Sequence, residues 1–258
     1  MVRGLDGFKS WFRDYQDQYV IIGGTACDLL MSEDGLTFRG TKDIDLVLIV
    51  ESLSKEFGSR FWEYIINGGY EHKNKSSGMP QFFRFSNPKS RDFPVMIELF
   101  SVKLDSIHLP ENAVLSPLPI DDDLSSLSAI LLEPDYYEFL KSGRIQISDV
   151  SILDAAHIIP FKAKAWIDLS DRKEKGEQID SRNIRKHKND IFRLTALLDR
   201  FSKNYIAAPE KIISDMSEFF SRMEKEEIDL KQIGITGRSK EQILEQLRKL
   251  YQSGNENQ

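Results

Sequence analysis

The run LVLIV at residues 46–50 limits the possible folds of this chain more than any other segment. It belongs to the longer pattern IDLVLIV, which is short and almost wholly apolar and therefore predicts a strand. Successive side chains of a strand point to opposite faces of its sheet, so a strand with this sequence is apolar on both faces. We therefore expect it to lie inside a sheet that is covered on both sides.

The first part of the chain alternates between helix-like and strand-like patterns. YVIIG, QFFRFS and VMIELFS predict further strands, and FKSWFRDY, TACDLLMSE and LSKEFGSRFWEYIING predict helices. Thr25 is the predicted N-cap of the second helix, and Gly68 with Gly69 is predicted to end the third. Between residues 103 and 153, AILLE and RIQISDVSIL predict strands, and PENAVLSPLPIDDDLSS predicts a loop.

Beyond residue 153 every pattern is helical. Four segments show it, namely DAAHIIPFKAKAWIDLSDRK, SRNIRKHKNDIFRLTALLDRFSK, PEKIISDMSEFFSRMEK and KEQILEQLRKLY. In the first of them Pro160 is expected either in the first turn or at a kink. We therefore predict an α+β fold with a mixed sheet over residues 1–153, followed by an all-helical domain over residues 154–258.

Composition excludes several classes of protein. No apolar run reaches the length of a membrane span, and the first residues lack the continuous apolar core of a secretion signal. The single cysteine, Cys27, excludes an internal disulfide and a multi-cysteine metal site. These features predict a cytoplasmic protein with no membrane partner. The net charge of −6 gives no general sign of nucleic-acid binding, although residues 161–203 hold 12 Lys and Arg against 7 Asp and Glu.

Two aspartates stand at the start of the apolar strand. Asp43 and Asp45 are two residues apart, so in a strand they project from the same face. Two neighbouring carboxylates repel each other, and a divalent cation relieves that repulsion; Mg²⁺ in particular prefers carboxylate, phosphate and water oxygens. The alternative is a strand end in solvent, with the aspartates paired to Lys42 or Arg39.

A glycine pair precedes these aspartates in the chain. Gly23 and Gly24 end one predicted strand and begin a helix, and Thr25 follows them. Glycine allows the backbone to approach a ligand closely, and a helix N-terminus presents N–H groups to phosphate. The pair could equally form a tight turn. The segment contains neither the GxxxxGK[ST] pattern of a P-loop nor the GxGxxG pattern of a dinucleotide site.

Glu98 is a third candidate carboxylate. It lies in the middle of the apolar strand VMIELFS, where a charged side chain is seldom buried without a partner. If this strand lies beside IDLVLIV, Glu98 meets Asp43 and Asp45 across the sheet. The alternatives are an edge strand or a pair with Arg84 of QFFRFS.

Taken together, GGTA, RGTKDIDL and IEL resemble the DNA-polymerase-beta-like nucleotidyltransferase superfamily. Within it, the chain is most similar to the abortive-infection type IV toxin nucleotidyltransferases and their uncharacterised bacterial relatives. The resemblance covers about the first hundred residues. It implies that Asp43 and Asp45 bind two Mg²⁺ ions and the NTP, and that Glu98 completes the second metal site and helps to activate the attacking hydroxyl. It assigns the triphosphate to Gly23, Gly24 and Thr25, and it makes Arg39 a further candidate for binding the nucleotide.

The same resemblance extends, less regularly, to the helical part. FKAKAWIDLSDR and KHKNDIFRL offer Lys162, Arg172 and Asp190 as contacts to the nucleotide, in a helical domain that closes over the cleft. Arg172 stands further from Lys162 than the family pattern has it, and Arg193 occupies the place of an expected second aspartate. The alternative is structural, with Asp190 paired to Lys186 or Arg193 along one helix.

The sequence therefore predicts a two-metal nucleotidyltransferase that moves NMP from an NTP to a hydroxyl or phosphate acceptor. The acceptor stays open between tRNA or another nucleic acid, a protein side chain and a small molecule, and an antitoxin protein is a further possible partner. The alternative from another class is a non-catalytic binding or regulatory module with the same fold. A phosphotransferase is a third option, although the chain lacks the glycine-rich loop and H-R-D motif of kinases.

Overall fold

The computed structural model describes residues 2–71, 82–101, 130–131, 133–200 and 205–251. The chain divides into two compact units. The first comprises Met1–Ile120 and Arg144–Asp154, and the second comprises Asp121–Gly143 and Ala155–Gln258. The polypeptide therefore passes from one unit to the other three times.

The first unit is built on a mixed six-stranded sheet. Its strands are β1 (Tyr19–Ile22), β2 (Asp43–Leu48), β3 (Phe82–Ser86), β4 (Met96–Phe100), β5 (Arg144–Ile147) and β6 (Val150–Leu153), and its helices are α1 (Leu5–Phe12), a 3-10 turn at Arg13–Tyr15, α2 (Gly23–Glu33) and α3 (Lys55–Gly68). The strand order is β3-β4-β2-β1-β6-β5. β2 runs parallel to β4 and antiparallel to β1, while β1 runs parallel to β6.

This arrangement confirms the α+β prediction and the central place of the apolar strand. Residues 46–48 of β2 are wholly buried, as is the whole of β1. Aromatic side chains of α1 and α3, among them Phe8, Phe12, Phe57 and Phe61, pack together and bury the sheet from one side. Ser54 caps α3 by accepting a hydrogen bond from the Phe57 N–H, and Gly69 ends it with a φ of 60°.

The second unit is helical over its described residues. It contains α4 (Pro134–Ser142), α5 (Ala155–Glu174), α6 (Ser181–Leu194) with a 3-10 turn at Thr195–Arg200, α7 (Glu210–Lys225) and α8 (Lys240–Tyr251). Tyr136 of α4 is buried against Phe161 of α5, with its hydroxyl donating to Asp215 of α7 at 3.1 Å. Among the described residues, no helix has the length and apolar character needed to cross a membrane.

Two local predictions differ from the structure. AILLE is predicted as a strand, but Ile130 and Leu131 are helical. Short apolar runs do not distinguish buried helices from buried strands, which explains this error. No element is predicted for residues 134–142, where α4 forms. Thr25 is not an N-cap, because α2 already begins at Gly23. RIQISDVSIL is extended, as predicted, and its two strands, β5 and β6, pair as a hairpin; the predicted loop at residues 110–126 lies outside the described residues.

Candidate functional site

Charged side chains form a row across three neighbouring strands of the first unit, and the row ends beside a helix N-terminus. Arg84 of β3 is paired in register with Glu98 of β4, Glu98 with Asp45 of β2, and Asp45 with Ile22 of β1. Gly23 follows Ile22 directly and begins α2. One guanidinium, two carboxyl groups and the N-terminus of a helix therefore lie side by side along one line of the sheet.

Glu98 has two partners in this row. The residue as a whole is only 8% exposed, and its Oε1 accepts hydrogen bonds from Arg84 Nε at 2.7 Å and from Arg84 Nη2 at 2.5 Å. Two of the arrangements expected from the sequence therefore occur together, since Glu98 lies beside Asp45 and also pairs with Arg84. β4 lies between β2 and β3, which excludes the edge-strand alternative.

The two neighbouring carboxyl groups interact directly. Burial and the charge of Asp45 raise the pKa of Glu98 to about 9, while Arg84 acts in the opposite direction. When Glu98 carries the proton, its carboxyl group donates a hydrogen bond to Asp45 and accepts the two from Arg84. The proton and the Arg84 guanidinium thus relieve the repulsion between the two neighbouring carboxyl groups.

Asp43 lies on the same face of β2, one pleat from Asp45, and both side chains are half-buried. The main-chain carbonyl of Asp43 accepts a hydrogen bond of 2.5 Å from the Thr25 hydroxyl, and Thr25 itself is fully buried. The predicted triphosphate residue Thr25 therefore uses its side chain to attach α2 to the start of β2, which holds the glycines and the aspartates together.

Gly23 lies so close to the Asp45 carboxylate that any side chain at its position would have to displace that carboxylate. Its φ is 66°, and a Cβ added to it would lie 1.8 Å from Asp45 Oδ2. A Cβ on Gly24 would lie 2.7 Å from the Thr41 hydroxyl oxygen and 3.5 Å from Arg39 Nη2. The absence of both side chains allows the first turn of α2 to lie against Asp45 and the RGT segment.

The carboxylates do not form a ready-made cage for a cation. Within the described ranges, no group of three or more His, Cys, Asp or Glu side chains is arranged to hold a metal ion. The oxygen donors at the start of β2 are therefore the pair Asp43 and Asp45. Oxygen donors of this kind suit Mg²⁺, which normally takes one or two carboxylates and completes its shell with phosphate and water.

The three predicted nucleotide contacts in the helical unit are engaged in ion pairs. Lys162 Nζ lies 2.9 Å from Asp190 Oδ2, with side chains 6% and 0% exposed, and Arg193 Nη1 lies 3.4 Å from Asp190 Oδ1. Arg172 Nε lies 2.8 Å from Glu177. The pairing of Asp190 with Arg193 is the expected structural alternative, and the pairing with Lys162 joins α5 to α6.

Sequence reasoning did not assign Arg84 or Thr41 to the site. Thr41 belongs to the RGTKDID motif but was given no role. Arg84 was considered only as an alternative partner of Glu98. A signal for it exists in the sequence, because Arg84 and Glu98 each stand alone as a charge in the middle of an apolar strand, FFRFS and MIELF.

No protein-family model matches this chain, and a search of curated proteins finds none that matches it in sequence.

Proposed function

We propose that this protein is a Mg²⁺-dependent nucleotidyltransferase that transfers NMP from an NTP to a hydroxyl or phosphate acceptor. The observation that carries the proposal is the contact between Gly23 and Asp45, because it joins a helix N-terminus to a pair of strand carboxylates. A helix N-terminus favours a phosphate group, and carboxylates favour the cation that accompanies a triphosphate. Neither feature alone would distinguish a nucleotide site from an ordinary turn.

The donor groups fit a divalent cation. Asp43 and Asp45 supply oxygen ligands from one face of a rigid, hydrogen-bonded strand, and their half-exposed positions leave them open to a ligand. When bound, the cation neutralises charge on the triphosphate and on the oxygens of the reacting phosphate. The strand keeps the two carboxylates in place before any ligand arrives.

The glycine turn suits the triphosphate itself. The first N–H groups of α2 at Gly23 and Gly24 have no intrahelical partner, so they are available to phosphate oxygens. Arg39, whose guanidinium lies close to Gly24, adds a positive charge at the same place. These groups would hold the triphosphate while an acceptor oxygen forms a bond to the α-phosphorus and the bond to pyrophosphate breaks.

The proposal is tested with the double variant Asp43→Asn/Asp45→Asn, which keeps the size of both side chains. The wild-type protein is expected to show a rise in melting temperature with Mg²⁺ and an NTP, and to transfer label from an NTP labelled at the α-phosphate. The variant is expected to lose both. Asp14→Asn/Asp17→Asn is a matched control, since it removes two exposed carboxylates from the same unit and should behave as wild type.

The acceptors offered in this assay are total RNA including tRNA, a protein mixture and small hydroxylated molecules. A labelled product in one of the three identifies the class of acceptor. An Asn double variant that binds and turns over NTP like the wild type would contradict the proposal. Mg²⁺-dependent NTP binding without transfer to any acceptor would instead favour a non-catalytic binding module.

A further inference from the structure

Arg84 bears on the number of cations that the site holds. A site with two cations requires Glu98 as a ligand in addition to Asp43 and Asp45. In the structure the Glu98 carboxyl group is already occupied, because both hydrogen bonds from Arg84 reach its Oε1 and Asp45 contacts the same group. The Arg84 guanidinium is the positive group beside Glu98, in the role that a second metal ion would have.

The Arg84–Glu98 pair is held by the sheet. The two residues face each other in the antiparallel register of β3 and β4, and their side chains are only 19% and 11% exposed. A cation ligated by Glu98 would share this carboxylate with a largely buried guanidinium and lie close to its positive charge. Like charges in a poorly screened site repel.

We infer that the protein provides carboxylate ligands for one divalent cation, at Asp43 and Asp45, and that Arg84 takes the place of a second cation at Glu98. The inference rests on the proposed function, which supplies the cation. Arg84 is then a positioning residue, because it acts through Glu98, which in turn contacts Asp45. The protein differs in this respect from the two-cation arrangement expected from its sequence.

The experiment counts the ions bound by the folded chain, using Mn²⁺ alone as the probe and electron paramagnetic resonance to measure free Mn²⁺. Nucleotide is omitted, because a triphosphate brings its own cation. The informative variant is Arg84→Gln/Glu98→Gln, which removes one positive and one negative group and so leaves the formal charge unchanged. Arg60→Gln/Glu63→Gln is the matched control, since it removes a 3.0 Å arginine–glutamate pair from α3 of the same unit.

We expect one bound Mn²⁺ per chain in the wild type, in the control and in Arg84→Gln/Glu98→Gln. The control, which is remote from Asp43 and Asp45, should also keep the wild-type affinity within about twofold. Asp43→Asn/Asp45→Asn should weaken that binding by about tenfold or more. Thermal unfolding followed by circular dichroism confirms that each variant is folded.

Two bound Mn²⁺ per wild-type chain, one of which disappears in Arg84→Gln/Glu98→Gln, would overturn the inference while leaving the proposed function intact. Loss of the single ion in that variant while it remains folded would also overturn it, because Glu98 would then be a ligand. A wild-type chain that binds no Mn²⁺ would instead contradict the proposed function, and the inference with it.

Discussion

At the scale of single residues, Gly23 is the position on which the site depends most. Two separate requirements exclude a side chain there, since its φ of 66° is unfavourable for other residues and its Cβ position is occupied by the Asp45 carboxylate. The second requirement is the functional one. It means that the backbone at the start of α2 and a carboxylate of β2 lie in direct contact, with no space between them for a side chain.

Gly23→Ala should therefore lower the free energy of unfolding by more than its backbone strain alone would. Gly35→Ala is the matched control, because Gly35 has a φ of 68° and no atom within 4 Å of its Cβ position. Urea unfolding should show a loss of about 1–2 kcal/mol for Gly35→Ala from the left-handed conformation alone. For Gly23→Ala we expect a further loss of about 1–3 kcal/mol from the clash with Asp45.

The same pair of variants separates the site from general stability. Gly23→Ala displaces Asp45 and should weaken Mn²⁺ binding, whereas Gly35→Ala should leave it unchanged. Equal stability losses and equal Mn²⁺ affinities in the two variants would show that the close contact between Gly23 and Asp45 has no consequence for the site.

At the scale of elements, α5 lacks one backbone hydrogen bond, and a side chain of α8 donates to the carbonyl that this leaves open. Pro160 lies inside α5 and has no N–H to donate to the carbonyl of Ala156, four residues earlier. The hydroxyl of Tyr251, near the end of the described part of α8, donates a hydrogen bond to that carbonyl. Both Ala156 and Tyr251 are buried, so water is a poor substitute for this bond.

Tyr251→Phe should destabilise the protein by about 1–2 kcal/mol, because it leaves the buried Ala156 carbonyl without a donor. In a Pro160→Ala background the alanine N–H can donate to the Ala156 carbonyl. Tyr251→Phe should then lower the free energy of unfolding by about half as much or less. Urea unfolding of the four proteins in this cycle measures the coupling.

Tyr205→Phe is the control, since Tyr205 is an exposed tyrosine of the same unit. Its effect should stay within about 0.5 kcal/mol. An equal cost of Tyr251→Phe with proline and with alanine at position 160 would show that the hydroxyl does not compensate for the proline.

At the scale of the whole molecule, the two units are interleaved along the chain. α4 belongs to the helical unit, but the hairpin β5–β6 that separates it from α5 belongs to the sheet unit. No single cut of the chain therefore separates the units. The buried residues of α4 are part of the helical core, and they include Tyr136, Phe139 and Leu140.

A fragment of residues 155–258 lacks α4 and should fail to unfold cooperatively. Loss of large buried side chains at about 2–5 kcal/mol each is comparable with a total stability of about 5–15 kcal/mol. A fragment of residues 130–258 keeps α4 and is the comparison, and it should retain a sharp thermal transition by circular dichroism at 222 nm. A sharp transition at the same temperature in both fragments would contradict a structural role for α4.

The elements around the site were largely predictable, because each depends on a local pattern. The strand of Asp43 and Asp45, the helix after Gly23 and Gly24, and the end of α3 at Gly69 follow from hydrophobic period and glycine chemistry. The helix α4 was not predictable in this way. Its buried face is defined by contacts with α5 and α7, which lie far along the chain.

The sequence by itself determined which chemical groups stand at the ends of which elements: two carboxylates at the start of a buried strand and a glycine pair at the start of a helix. Spacing within one element decides such features, so tertiary structure is not needed to find them. Only the tertiary structure decided the partners. The parallel register of β2 and β4 places Glu98 beside Asp45, and the antiparallel register of β3 and β4 pairs Glu98 with Arg84. The packing of α5 on α6 pairs Lys162 with Asp190. The physical reason is that a buried charge takes the nearest opposite charge in space, and strand register and helix packing, which join distant parts of the chain, determine which charge that is.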